Sequence, residues 1–63
     1  MRIIRVSQNQ FVPAHNIDVV IIPQENPKQL IVHTVGGYVL NNHYPDEDMC
    51  RQEYERIYNE LEK

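Results

Sequence analysis

The run Val19-Val20-Ile21-Ile22 places four β-branched apolar residues in a row. A strand with one wet face alternates, because successive side chains point to opposite sides of the sheet. This run does not alternate, and so predicts cover on both faces. Leu30-Ile31-Val32 and Tyr38-Val39-Leu40 make the same demand. The C-terminal third has a different period. Cys50, Tyr54, Ile57, Tyr58 and Leu61 fall at i, i+4, i+7, i+8 and i+11, one stripe of a 3.6-residue helix. One helix covers one face of a small sheet, which leaves the other face to a second copy or a partner protein.

Punctuation along the chain sets the elements. Residues 2–6 form a short first strand and Ser7-Gln8-Asn9-Gln10 a polar turn. Phe11-Val12 starts a second strand, stopped by Pro13, which has no N–H to give to a ladder. Residues 13–16 form a turn or a single helical turn. Ile17–Ile22 is the third strand, expected to be central because it is apolar on both faces, and Pro23 ends it. After the loop 24–28, with its Asn-Pro turn chemistry, Gln29–Val35 is the fourth strand and Tyr38 to Asn41 or Asn42 the fifth. His43-Tyr44-Pro45 breaks the sheet. Asp46-Glu47-Asp48 then places three carboxylates at a helix N-terminus, where the macrodipole favours them, with Asp46 as N-cap. The helix is expected over about Asp46–Leu61, with Glu47–Arg51 and Glu53–Arg56 pairs on its wet side. The expected fold is α+β: a twisted antiparallel sheet of four or five short strands with one C-terminal helix packed on one face, in a single domain spanning 1–63.

Gly36-Gly37 signals a tight hairpin, since both central residues of a type I′ turn need positive φ. A two-residue loop puts Val35 opposite Tyr38, His33 opposite Leu40 and Ile31 opposite Asn42. Ile31, His33, Val35, Tyr38, Leu40 and Asn42 then share one face, and Leu30, Val32, Thr34 and Val39 the other. The second set is less polar and suits a helix-covered core. The first mixes apolar bulk with His, Tyr and Asn, and its residues Ile31, His33, Val35, Tyr38 and Leu40 are the expected partner-binding face. A slip of one residue reverses such an assignment.

Size sharpens the need for a partner. A chain of 63 residues buries only about 60% of the surface it exposes when unfolded, and small domains commonly add disulfides, a metal or oligomerisation. Cys50 is the one cysteine, so no disulfide forms within the chain, and a lone thiol fits a reducing compartment. Net charge is −3, and the six basic residues are scattered, without the stripe that phosphate neutralisation needs. No apolar stretch approaches the roughly 20 residues of a membrane span, and the start lacks the apolar region and cleavage site of a signal peptide. A cytoplasmic location is expected.

Candidate chemistry is sparse. His43, Asp46, Asp48 and Cys50 are close in sequence, but no paired framework such as C-x2-C with H-x3-5-H is present, so no metal and no other cofactor is expected. Cys50 lies on the apolar stripe, where a thiol acts as a small hydrophobe. The helix N-terminus lowers a thiol's pKa, but three carboxylates around the same turn oppose it. Gly36-Gly37 lacks the lysine and following helix of a phosphate loop. No catalysis is expected.

The segment Phe11-Val12 … Ile17 … Leu30-Ile31-Val32-His33-Thr34-Val35-Gly36-Gly37-Tyr38-Val39-Leu40 resembles the core of small bacterial one-sheet proteins of the flagellar FlbD (swarming-motility) family. The resemblance covers roughly residues 3–40. The chain departs from that family in having Ser7-Gln8-Asn9-Gln10 where an Asn-Gly turn is usual, and in its longer, tyrosine-rich helix. The resemblance implies a small accessory protein without catalytic residues. The sequence is thus expected to encode a bacterial or phage interaction module that self-associates or binds a protein partner. The alternative is an oligomeric nucleic-acid-binding regulator whose assembly gathers the arginines.

Overall fold

The computed structural model describes residues 2–63. Its elements are β1 (Ile3–Arg5), β2 (Phe11–Pro13), a 3-10 turn (Ala14–Asn16), β3 (Ile17–Ile21), β4 (Gln29–Thr34), β5 (Val39–His43) and α1 (Glu47–Glu62). The architecture is α+β, with two antiparallel sheets rather than one: β1–β2, and β3–β4–β5 in that order. The sheet divides because β1 and β2 are only three residues long, and β2 runs directly into the 3-10 turn through Pro13. A side chain bridges the two sheets, as the Asn42 Nδ2 donates to the Val6 carbonyl at 2.8 Å.

Both sheets and the helix share one core. Ile4, Val6 and Val12 come from the β1–β2 arm, Leu30 and Val32 from β4, and Cys50 and Ile57 from α1. Leu61 and Tyr54 flank this centre, so the helical stripe docks on the sheets, while Tyr58 at its margin is half exposed. Asp46 caps the helix, accepting from the Met49 N–H at 2.8 Å. The last turn of α1 has no basic residue of its own. Arg2 supplies the cation from across the chain, donating to the carbonyls of Glu60, which also accepts from the Lys63 N–H, and Leu61. Arg56 donates to the Arg5 carbonyl at 2.7 Å and thereby ties α1 to β1 a second time.

Two expectations about the strands are corrected. β4, not β3, is the central strand, and β3 lies at an edge. A bulge between Ile17 and Val19 resets the pairing, so Val20 and Ile22 pack on the core while Val19 and Ile21 face away from it. The second correction is the hairpin register. His33 pairs with Val39, Val32 with Leu40 and Ile31 with Asn41, one residue from the expected register. Among the described residues only Gly37 has positive φ, at 91°, so a type I′ turn is excluded. The loop has three residues instead. The Gly37 N–H donates to the Thr34 carbonyl at 3.0 Å, the Thr34 N–H to the Tyr38 carbonyl at 2.9 Å, and the Thr34 hydroxyl accepts from the Tyr38 N–H at 3.0 Å.

Candidate interaction face

The register decides which side chains share the uncovered side of β3–β4–β5. Leu30, Val32 and Thr34 align with Asn42, Leu40 and Tyr38 on the helix side. On the other side lie three rows: Gln29 with His43; Ile21, Ile31 and Asn41; and Val19, His33 and Val39. Val19, Ile21 and Val39 are exposed at 43%, 39% and 48%, and Ile31 is partly buried without belonging to the core. The Gln29 amide donates to the Asn41 side-chain oxygen at 2.9 Å, which holds two polar groups of the face against each other.

The five residues expected to form a partner-binding face therefore do not share one. Ile31 and His33 lie on the open side. Tyr38 and Leu40 belong to the helix side: Leu40 packs on the core, and Tyr38, 75% exposed, projects past its end. Val35 is in the hairpin loop and 68% exposed. The slip of one residue in β5 exchanged its two faces, while β4 kept its assignment. Val19, Ile21, Val39 and His43 were not assigned to the face from sequence. A usable signal was present in and just after β5, where bulky Leu40 and Tyr44 stand four apart against the smaller Val39.

None of the eight ladder-paired residues of the open face is Asp, Glu, Lys or Arg, in a chain that is 24% charged, and Asp18 stands exposed at the β3 bulge next to Val19. The other charges lie elsewhere and are largely engaged. Arg51 pairs with Asp48 at 2.8 Å, Arg56 with Glu53 at 2.7 Å, Lys63 with Glu60 at 3.2 Å, and Arg5 reaches Glu53 at 3.8 Å. The first helical turn thus pairs Arg51 with Asp48 rather than with Glu47. The Arg56 guanidinium hydrogen-bonded to Glu53 holds its carboxyl below the ordinary carboxylate range. With Arg2 on the helix carbonyls, all four arginines are engaged within the chain.

Other candidate chemistry is also placed. Cys50 is fully buried, and burial pushes its thiol pKa up, which leaves it a poor nucleophile. Among the described residues, no group of three His, Cys, Asp or Glu is positioned to hold a metal ion. Desolvation, with the Glu53 charge second, raises the pKa of the partly buried Tyr44 phenol. A groove of about 480 Å³ runs between β2 and the β4–β5 hairpin, with Phe11 and Tyr38 among its lining residues. No helix among the described residues is long and apolar enough to cross a membrane. Compared with known protein families, curated proteins and solved structures, the chain matches none.

Proposed function

We propose that this chain is a small cytoplasmic accessory module, without catalysis, whose open β3–β4–β5 face docks on the same face of a second copy. The observation that carries the reading is the face's composition: Val19, Ile21, Ile31 and Val39 beside four uncharged polar residues, with Asp18 at the bulge on its margin, all backed by a packed core. Depletion of charge marks the core of an interface more reliably than bulk hydrophobicity does. The absence of charge also selects the occupant. Across a two-fold axis a patch meets itself, so a charged patch meets like charge. A face with no charge avoids that repulsion even in a chain of net charge −3. It also offers nothing with which to steer a charged hetero-partner.

Area limits the strength of the contact. At about 3.3 Å per residue and 4.8 Å between strands, the face spans about 20 by 14 Å. With side-chain relief, two such faces bury on the order of 1,000 Å² together, the low end for a specific contact. A weak, reversible dimer is expected. Its test is sedimentation of wild type beside Val39→Lys, which adds a charge to an exposed edge position of the face. Val39→Lys should be monomeric with an unchanged circular dichroism spectrum. Phe11→Ser, which removes an exposed aromatic from the other sheet, should still dimerise. The reverse pattern would move the interface to the Phe11–Tyr38 groove.

A further inference from the structure

The outer edge of β1 is tied to α1 by Arg56, which leaves the outer edges of β2, β3 and β5 without a neighbouring element. Two of these are blunted. β2 is three residues long and ends on Pro13. β3 carries a bulge with Asp18 exposed on it, and Pro23 follows soon after. Shortness, proline, a bulge and a charge are the usual guards of a free edge. β5 has none of them: its five residues pair with β4 without a register shift and include no proline, Asp, Glu, Lys or Arg. We infer that the outer edge of β5 takes up an extended, uncharged segment of a partner protein as an added strand.

The ladder fixes which backbone groups that strand would meet. The Thr34 N–H donates to the Tyr38 carbonyl and the Tyr44 N–H to the Lys28 carbonyl, both at 2.9 Å. Hydrogen-bonded and non-bonded pairs alternate along an antiparallel ladder. Leu40 and Asn42 therefore bond to β4, and the N–H and C=O of Val39, Asn41 and His43 point outward. Among the described residues, no backbone group of the arm or the helix bonds to them.

Two clefts beside β5 give the added strand its side-chain chemistry. One, of about 480 Å³, has Phe11, Val12, Tyr38 and Leu40 in its wall, and the other, of about 540 Å³, has Ser7, Gln8, Gln10, Asn42 and Tyr44. No Asp, Glu, Lys or Arg lines either. Residues opposite Leu40 and Asn42 share their side of the sheet and enter these clefts. The segment thus carries an apolar residue opposite Leu40 and an uncharged polar one opposite Asn42, since backbone bonds give affinity in strand addition and alternate side chains give specificity. A second copy's β5 does not supply them. Its Leu40 packs on its own core, and its Asn42 is bonded to its own Val6 carbonyl. An edge of five residues is also only about 17 Å long, which fits a segment and falls short of the roughly 800 Å² per partner of a stable complex between folded domains. The edge is separate from the open face, so this inference does not rest on the dimer.

The experiment is an NMR titration of the isotope-labelled chain with the acetylated and amidated peptide Thr-Gln-Thr-Val-Thr, which sets Val opposite Leu40 and Gln opposite Asn42 when antiparallel to β5. Binding should saturate by about 5 mM, shift the Val39, Asn41 and His43 amides and slow their hydrogen exchange. The same peptide N-methylated at its central threonine should bind about fivefold more weakly or worse, because it cannot donate to the Asn41 carbonyl. Replacing its Val by Glu should weaken binding at least about tenfold. Asn41→Pro removes an outward N–H and no bond to β4, so it should match the methylated peptide in its loss while keeping the circular dichroism of wild type. If that variant does not fold, the methylated peptide still decides. No saturable shift overturns the site, and equal binding of the methylated peptide overturns strand addition. Equal binding of the Glu peptide overturns the assignment of the clefts. A peptide that converts a wild-type dimer to single chains gives the edge to a second copy and overturns the choice of occupant.

Discussion

Gly37, at φ 91°, sits in the three-residue loop of the β4–β5 hairpin, and Gly36 does not share its positive φ. An alanine at Gly37 meets no atoms, yet must adopt a backbone that L-residues avoid. Gly37→Ala should therefore destabilise the fold by about 1–2 kcal/mol. Gly36→Ala meets only the Tyr38 Cδ2 at an ordinary 3.9 Å and should stay within about 0.5 kcal/mol of wild type. Paired thermal melts check this, and equal losses at the two positions would restore the type I′ turn. The glycine pair was legible as a hairpin. Which glycine needed positive φ was not, because Thr34 lengthens the loop with a hydroxyl–backbone bond that spacing alone does not reveal. Glu53 gives a second residue-scale test. Its carboxyl pKa is lowered chiefly by the hydrogen bond from Arg56, so the stabilisation is present above the unfolded-state pKa and lost as pH falls through the folded one. Glu53→Gln should cost about 1 kcal/mol at neutral pH, discounted for partial exposure of the pair, and the gap to wild type should close below about pH 4. A gap constant with pH would assign the loss to packing.

At the scale of elements, the helix was the most legible part of the chain. Its cap, its 3.6-residue stripe and its terminal bounds are all local properties, and the observed Glu47–Glu62 differs by one residue at each end from the expected span. Asp46→Ala should cost about 1 kcal/mol through the lost bond to the Met49 N–H. Ile57→Val should cost about 1 kcal/mol because Ile57 has no exposed surface. Chemical denaturation of both variants measures these effects, and an unchanged midpoint for Ile57→Val would contradict docking of the stripe. The strands were legible as segments but not in their order. Apolar runs in β3 and β4 look alike, yet β4 has neighbours on both sides while β3 has one. Long-range bonds that tie the pieces together, from Arg2 to the helix end and from Asn42 to Val6, leave no periodic mark in sequence.

For the whole molecule, one helix and one short arm cover a single side of a three-stranded sheet, and the other side carries Val19, Ile21, Ile31 and Val39 beside Gln29, His33, Asn41 and His43. The side that the helix leaves open was legible in the unbroken apolar runs. The residues that create it were legible only in part, since Ile31 and His33 depend on β4 alone whereas Val39 and His43 depend on the hairpin register. The central claim is that a second copy supplies the cover. The most direct test is sedimentation equilibrium of the wild-type chain at pH 7.5, from low to high micromolar concentration. The account predicts a reversible rise from the mass of one chain to the mass of two, abolished in Val39→Lys. A single-chain mass for wild type at the highest concentration would contradict it.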